Sequence, residues 1–211
     1  MGLTLTIVRH GNTFEAGETP RRVGSPTDIP LVDSGRDQAS ALGQWFSEHD
    51  IRFDAAFTSP LRRTRETAAL ILAAQAHSPA LELADWLAEV DHGPDEDQPE
   101  AAVIARIGAE ALSAWETNGT PPRDWVVDAQ ARRASWRRLF DMASDTSERA
   151  VLLVTSNGAA RFALLADAAL HAQAESLPSL KLRTGAFGRI VVGTDGIHLA
   201  EWDRRPALRP A

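Results

Sequence analysis

The chain of 211 residues has no cysteine, no tyrosine and a single lysine, Lys181. Without cysteine there is no disulfide framework, no thiolate zinc site and no cysteine nucleophile, which excludes the cysteine-based phosphatases and proteases. Leucines flank Lys181 on both sides, so the Gly-Lys-Ser/Thr phosphate loop of nucleoside triphosphatases is excluded as well.

Long hydrophobic runs and an excess of positive charge are also missing. Acidic residues outnumber basic ones by 29 to 22, which gives a net charge of -7 and disfavours nucleic acid and anionic membranes as partners. No run approaches transmembrane length and no secretory signal is visible, so we expect a cytoplasmic protein. A hydrophobic content of 44% is that of a globular chain, and we expect one domain over residues 1–211. The composition is compatible with a homo-oligomer.

Strand-like and helix-like segments alternate along the chain. The apolar runs predict strands, and helices follow them, the first from about Arg36 to Glu48 and the others after Ser59-Pro60, with Ser59 as N-cap, and after Ser156 to about Leu170. This order predicts an α/β fold with a mainly parallel central sheet and helices on both faces. The predicted strands are 3–8, 54–58, 81–83 and 150–154, with a hairpin at 186–192 and 197–202.

The stretch from Ala101 to Ala143 has a helical pattern with a turn-rich break at residues 117–122, and it predicts a helical insertion packed on the sheet. Its tryptophans either shape a ligand pocket or belong to the core. Its arginines have the spacing of a solvated helix face. These residues are Trp115, Trp125 and Trp136, and Arg132, Arg133, Arg137 and Arg138.

Two segments at predicted strand ends carry residues suited to phosphate. Arg9, His10 and Asn12 follow the first strand, where ligands gather in open α/β sheets. Arg62 lies early in the helix after the second strand, and helix N-termini bind anions. The structural alternatives are a buried, hydrogen-bonded His10 and a solvated surface for one or two of the arginines near Arg62.

Four ordered segments resemble those of the histidine phosphatase superfamily, which includes phosphoglycerate-mutase-like phosphatases. The resemblance spans nearly the whole chain and implies a phosphoglycerate-mutase-like fold and hydrolysis of a small phosphorylated substrate through a phosphohistidine, with no cofactor and no metal. The segments are Ile7–Thr13, Ile29–Ala39, Ser59–Ala68 and Leu87–Gly93.

The resemblance also implies the roles of individual residues. His10 would be the nucleophile, Arg9 and Arg62 the clamps on the phosphoryl oxygens, Asn12 a further donor, and Glu89 the proton donor to the leaving group. Because Glu89 must then hold a proton, we expect an acidic pH optimum. Glu89 opens an acidic stretch that reaches Glu100, which alternatively is only an exposed loop. We also expect Arg21 and Arg22 to reach a second anionic group of the substrate.

One family feature is missing. Relatives usually carry a second histidine in a Ser-His-Gly-Gly segment, but Ser156-Asn157-Gly158 has none. Alignment on Gly158 and Arg161 puts Ser156 at that position, and a one-residue slip puts Asn157 there. Either residue is a candidate phosphate contact, and either suits an N-cap.

This departure leaves two hypotheses for function. The chain is either a phosphatase, slowed by the lost charged donor, or a catalytically weak or inactive module that binds a phosphorylated ligand. His92, three residues after Glu89, is an alternative source of the missing charge. Mutase activity is disfavoured, since the mutases resemble one another in a segment rich in Tyr and Lys that this chain lacks.

Overall fold

The computed structural model describes residues 2–142 and 149–208. Eight strands lie in these ranges, and six of them form the main sheet in the order β4-β3-β6-β1-β7-β8. Their bounds are β1 Gly2–Arg9, β2 Arg21–Arg22, β3 Ala55–Thr58, β4 Leu81–Leu83, β5 Gln98–Pro99, β6 Arg149–Thr155, β7 Phe187–Gly193 and β8 Gly196–Arg204.

The sheet confirms the predicted α/β class. Strands β4, β3, β6 and β1 pair in parallel, whereas β7 is antiparallel to β1 and forms the predicted hairpin with β8. Because the parallel strands point the same way, the segments that leave β1, β3, β4 and β6 all emerge at one edge of the sheet.

Seven α-helices in the described ranges cover both faces of this sheet. Leu5 and Ile7 of β1 face a core built with α4 to α7, and Val8 faces a second core built with α1 and α2. Side chains alternate along a strand, so one strand supplies both cores. The helices are α1 Asp33–Glu48, α2 Arg62–Ala73, α3 Glu100–Ile107, α4 Ala109–Asn118, α5 Ala129–Asp141, α6 Asn157–Leu165 and α7 Ala168–Ala174. None of these helices is both long and apolar enough to cross a membrane.

Two predicted helix boundaries are wrong. Helix α2 starts after an extended Leu61, and Ser59 does not cap it, because its hydroxyl bonds Thr64 Oγ1 at 2.6 Å and accepts the Leu61 N–H instead. The helix predicted to run from Ser156 to Leu170 is two helices. Asp167 starts the second by accepting the Ala169 N–H at 2.8 Å, as an N-cap does.

The insertion is helical as predicted and comprises α3, α4 and α5, although its predicted last residue, Ala143, lies outside the described residues. The short ladder between β2 and β5 was not predicted. It pairs Arg21 with Pro99 and Arg22 with Gln98, so the loop that carries both arginines is tied to the segment that follows Glu89.

Candidate active site

The predicted phosphate-handling segments meet at the carboxyl edge of the sheet. The His10 N–H donates to the Thr155 carbonyl at 3.1 Å, and the Ser59 N–H donates to the Val154 carbonyl at 3.2 Å. The Ala84 N–H likewise reaches the Thr58 carbonyl at 2.8 Å. The loops after β1, β3, β4 and β6 are therefore held side by side.

The loop after β1 fixes the orientation of His10. The Gly11 N–H donates to Thr67 Oγ1 of α2 at 3.2 Å, and the Asn12 N–H donates to Gln38 Oε1 of α1 at 2.9 Å. His10 Nδ1 lies 2.8 Å from the Gly11 carbonyl oxygen. Since a carbonyl can only accept, Nδ1 carries the proton and Nε2 keeps its lone pair.

His10 is a neutral imidazole at physiological pH. Burial lowers its pKa well below the ordinary value of a histidine, and the positive charges of Arg63 and Arg9 lower it further. The side chain is only 6% exposed. A neutral, oriented imidazole with a free Nε2 is a competent nucleophile.

Two buried guanidinium groups flank His10. Arg9 donates to the Leu182 carbonyl at 2.7 Å, and Arg63 donates to the carbonyls of Thr27 and Gly24 at 2.8 and 2.9 Å. Burial lowers the pKa of Arg9 to about 10, against the opposing charge of Glu89, so Arg9 remains a cation at neutral pH. Each guanidinium has five N–H groups and keeps several for an anion.

The prediction that Arg62 lies beside His10 is wrong. The Arg62 side chain is 51% exposed and pairs with Glu66 at 3.3 Å, and it lines neither of the two cavities that open at this edge of the sheet. Its neighbour Arg63 is 1% exposed and lines the cavity with His10. Consecutive helical residues point about 100° apart, which separates the two arginines.

Two adjoining cavities open at this edge. The first, here the His10 cavity, has a volume of about 570 Å³ and is lined by Arg9, His10, Asn12, Arg63 and Glu89 among others. The second, here the His92 cavity, has a volume of about 360 Å³ and is lined by Arg9, Glu89, His92, Asn157, Gly158 and Arg161 among others. Arg9 and Glu89 belong to both, so the two cavities share one wall.

Asn12 lies in the His10 cavity with both ends of its amide bonded to protein. Nδ2 donates to Ser34 Oγ at 3.2 Å, and Oδ1 accepts from Thr184 Oγ1 at 2.5 Å. One hydrogen of Nδ2 is left for a ligand. Its contact with phosphate stays a prediction.

Glu89 stands on the wall between the cavities, held from two directions. Its Oε1 accepts the Val90 N–H at 2.8 Å, and its Oε2 accepts the Gly158 N–H at 2.9 Å. Arg132 of the insertion donates to the carbonyls of Ala88 and Glu89 at 2.7 and 3.3 Å. Arg132 was predicted to lie on a solvated helix face, and that prediction is wrong because it is spent on holding this loop.

The carboxyl group of Glu89 is ionised in the free protein. Burial by itself raises its pKa, but the charge of His92, the N–H groups of Gly158 and Val90, and the charge of Arg132 together outweigh burial and hold the pKa below the ordinary value. Glu89 therefore serves readily as a base and needs acidic conditions, or a bound anion, to carry a proton.

We expect Gly158→Ala to lower turnover of a phosphate ester by about tenfold or more, the scale of a misplaced catalytic group. A Cβ at this position would overlap Glu89 Oε1, so the carboxylate must leave the Gly158 N–H. Overpacking of this kind costs stability by about 1–3 kcal/mol. The measurement is turnover together with thermal unfolding, and wild-type turnover in a folded variant would contradict this placement of Glu89.

The segment after β6 decides between the two candidates for the missing histidine. Ser156 is 1% exposed, lines neither cavity, and its hydroxyl has no partner among the described residues. It occupies the N-cap position of α6 without a side-chain cap bond. Asn157 lines the His92 cavity, and its Oδ1 accepts the Leu182 N–H at 3.0 Å. The structure therefore favours Asn157 over Ser156 as the residue that meets a ligand.

The remaining predicted residues line the outer part of the site. Arg21 pairs with Asp97 at 3.0 Å and Arg22 with Glu100 at 2.5 Å, and both arginines line the His92 cavity. Each is thus partly neutralised before any ligand binds. Their contact with a second anionic group stays a prediction.

Sequence reasoning missed two further cations of the site. Arg161 of α6 lies over the Trp115 ring at 4.5 Å, and burial lowers its pKa to about 10 against the opposing charge of Glu89. Lys181 is exposed and lines both cavities. The feature of the sequence that could have drawn attention to Lys181 is that it is the single lysine of the chain. In the parts of the chain that are described, no three or more His, Asp or Glu side chains group as metal ligands would.

The sequence profile of the histidine phosphatase superfamily (branch 1) matches residues 5–205. The chain belongs to this superfamily. The resemblance of the sequence segments led us to expect His10 with Arg9 and Arg62, whereas the structure has Arg63 in the cavity of His10 and Arg9.

Members of the superfamily with different names are similar to this chain. A 2,3-bisphosphoglycerate-dependent phosphoglycerate mutase of Mesorhizobium japonicum is 28% identical over 88% of this chain and 90% of its own length. The fructose-2,6-bisphosphatase TIGAR B of Danio rerio is 40% identical over 37% of this chain and 30% of its own length. With several curated relatives the match thus spans about half of their length or less. The phosphoglycerate mutase structure of Bacillus anthracis shares the fold, with a TM-score of 0.77 at 21% identity over 96% of this chain and 93% of its own.

Proposed function

We propose that this superfamily member is a phosphomonoesterase that works through a phosphohistidine on His10. The observation that carries the proposal is a buried, neutral imidazole whose Nδ1–H is bound to the Gly11 carbonyl, which leaves Nε2 free between two buried guanidinium groups. Neither a structural histidine nor a simple anion site requires that arrangement.

The first step transfers the phosphoryl group to the protein. His10 Nε2 attacks phosphorus while the bond from phosphorus to the leaving-group oxygen breaks, and the electron pair stays on that oxygen. Arg9 and Arg63 stabilise the charge on the phosphoryl oxygens and hold them in line. Glu89, protonated after the anion binds, gives its proton to the leaving group.

The second step releases phosphate. The Glu89 carboxylate takes a proton from water as the water oxygen attacks phosphorus, and the bond to His10 Nε2 breaks with its electron pair returning to the nitrogen. The ionised state of Glu89 in the free protein suits this step directly. The cycle restores His10, and Glu89 loses the proton to solvent once phosphate leaves and regains one when the next substrate anion binds.

Two considerations favour hydrolysis over mutase chemistry. The absence of tyrosine and the single lysine remove the segment by which the mutases resemble one another. The names of the relatives include both a bisphosphatase and phosphoglycerate mutases and do not separate the two reactions, but a phosphatase needs only water as its second acceptor. A small phosphorylated substrate fits cavities of about 360 and 570 Å³.

The cytoplasmic location, the oligomeric state and the lack of nucleic-acid or membrane partners stay predictions.

A module that binds a phosphorylated ligand without turning it over is the second candidate. The observation in its favour is Asn157, a neutral amide at the place where relatives usually carry a second histidine. Loss of one charged donor costs about a hundred- to a thousandfold in rate in comparable sites.

Turnover and binding by the purified protein separate the two candidates. We expect hydrolysis of p-nitrophenyl phosphate and inhibition by vanadate, which mimics the pentacovalent phosphoryl group. Vanadate binding without detectable hydrolysis would favour the binding module, and neither hydrolysis nor binding would overturn both candidates.

We expect kcat/KM to rise as the pH falls from neutral into the acidic range. In the free protein the pKa of Glu89 lies below its ordinary value because His92, two N–H groups and Arg132 outweigh burial, so the protonated acid becomes populated only at acidic pH. The pKa of His10 also lies well below its ordinary value, chiefly through burial, so His10 is still a neutral nucleophile as the pH falls from neutral. The measurement is kcat/KM against pH.

Glu89→Gln is the control, since a glutamine does not titrate. We expect lower turnover and loss of the dependence that belongs to the enzyme, leaving only the ionisation of the substrate, which has a second pKa of about 6. An identical pH profile in both proteins would contradict the role of Glu89.

We expect Asn157→His to raise turnover by about tenfold or more, because a charged donor at a phosphoryl oxygen contributes on this scale. A charged imidazole donates from both ring nitrogens, so it gives up the bond that the Asn157 amide oxygen accepts from the Leu182 N–H and keeps an N–H for a phosphoryl oxygen in the His92 cavity. Ser156→His is the matched control and should lower stability without a gain. A gain confined to Ser156→His would contradict the assignment of the two positions.

A further inference from the structure

The two steps above leave one buried titratable side chain of the site unused. His92 is 4% exposed and lines the same cavity as Glu89, Asn157 and Gly158. It belongs to the loop that carries Glu89. His10 lines the other cavity, so the two histidines belong to different cavities that share Glu89.

A carboxylate and an aromatic ring fix the orientation of His92. Its Nδ1 lies 3.2 Å from Glu96 Oε2, and the ring meets Trp125 edge to face at 4.6 Å between centroids. Glu96 is itself held by the Gly24 N–H at 2.7 Å. A Cβ on Gly24 would come within 2.8 Å of His92 Nδ1, so the pair packs against backbone that only a glycine leaves open.

Glu96 supplies the negative charge of this pair. Burial alone raises the pKa of Glu96, but the hydrogen bonds from His92, Thr27 and Gly24 outweigh it and lower the pKa to about 2. Glu96 is thus a carboxylate throughout the physiological range. A carboxylate bonded to Nδ1–H orients an imidazole and stabilises the imidazolium.

The other nitrogen of His92 is available to a ligand. Among the described residues Nε2 has no hydrogen-bond partner. It is also absent from the unpartnered atoms that are fully enclosed by protein, and His92 lines the cavity. The charged side chains that line the same cavity include Arg9, Arg161 and Glu89, and the charge of His92 lowers the pKa of Glu89. Because Glu89 lines both cavities, a leaving group that takes its proton from Glu89 would border the cavity that His92 lines.

We infer that His92 is a second catalytic residue of the site, which donates a hydrogen bond from Nε2 to the leaving-group oxygen while Glu96 holds the ring. The inference rests on the proposed phosphatase function. Negative charge grows on that oxygen as its bond to phosphorus breaks, and a fixed positive donor stabilises it where the uncharged Asn157 cannot. The leaving-group side of the site thus has two donors, Glu89 for the proton and His92 for the charge.

The test compares substrates whose leaving groups differ in their need for help. p-Nitrophenolate is stable as an anion, whereas the alkoxide of glycerol 2-phosphate is not. We expect His92→Gln to lower kcat on glycerol 2-phosphate by about ten- to a hundredfold and kcat on p-nitrophenyl phosphate by less than about threefold. His77→Gln, at an exposed histidine, is the matched control and should change neither.

The outcomes distinguish this inference from the function on which it rests. If the wild-type protein hydrolyses p-nitrophenyl phosphate, equal losses on both substrates in His92→Gln, or no loss on either, would overturn the role of His92 and leave the phosphatase intact. Absence of turnover in the wild type would overturn the phosphatase and the role of His92 with it.

A second measurement needs no variant at His92. In imidazole ¹⁵N spectra of the wild-type protein, a vanadate–glycerol mixture should shift the His92 resonances toward a hydrogen-bonded imidazolium. His92 signals that stay unchanged when the site is saturated would overturn the inference even if His92→Gln failed to fold.

Discussion

His10→Asn should lower the turnover of p-nitrophenyl phosphate by at least about a thousandfold, the scale on which loss of a covalent nucleophile acts. The Asn amide nitrogen takes the place of Nδ1 and can still donate to the Gly11 carbonyl, which His10 now contacts at 2.8 Å. It has no counterpart of Nε2. The variant therefore removes the attacking atom with little disturbance of the loop.

The controls for this result are His10→Ala and the exposed His77→Asn. Vanadate affinity should persist in His10→Asn within about tenfold, because the arginines that hold the anion remain. His10→Asn and His10→Ala proteins that keep the wild-type rate would remove the nucleophile from His10 and return the chain to the binding hypothesis.

Arg63→Gln should lower kcat/KM by about a hundred- to a thousandfold, whereas Arg62→Gln should change it by less than about threefold. Arg63 is buried beside His10, so its charge acts in a site shielded from water. Arg62 is half exposed and spends its charge on Glu66, an interaction that solvent screens. The pair isolates position on the helix from chemistry, since the two residues are identical neighbours.

Vanadate binding by the same two variants is the accompanying measurement, and affinity should fall only in Arg63→Gln. A larger loss from Arg62→Gln would show that the phosphoryl group lies outside the His10 cavity. If both variants keep the wild-type affinity for vanadate, the anion site lies elsewhere.

The order of strands and helices could be predicted because each element carries its own pattern. The alternation of Leu5, Ile7 and Val8 between two cores is visible in the sequence, as is the position of His10 just after β1. The sequence also indicates which face of α2 is buried. Arg63, Thr67 and Ile71 recur every four residues on the buried face, and this spacing distinguishes Arg63 from Arg62 once the helix is assumed.

Other parts of the site depend on contacts between distant segments. Gly158 meets Glu89 across 69 positions of the chain, and Arg132 reaches the Glu89 loop from the insertion. The choice between Ser156 and Asn157 depends on how the chain turns from β6 into α6. Side chains alternate between the two faces of a strand, and this alternation does not continue through the turn. Packing decides each of these placements, and no local pattern carries them.

Trapping the phosphorylated protein shows whether His10 is the nucleophile. Wild-type protein mixed with p-nitrophenyl phosphate and quenched in alkali, where phosphohistidine survives and phosphate esters of serine and threonine are far less stable, should carry a phosphoryl group that peptide mapping assigns to His10. The amount should increase in Glu89→Gln, which lacks the base for the second step, and vanish in His10→Asn. His10 is not the nucleophile if the wild type turns over substrate but neither the wild type nor Glu89→Gln carries a trapped phosphoryl group. The same conclusion follows if the phosphoryl group is found on another residue.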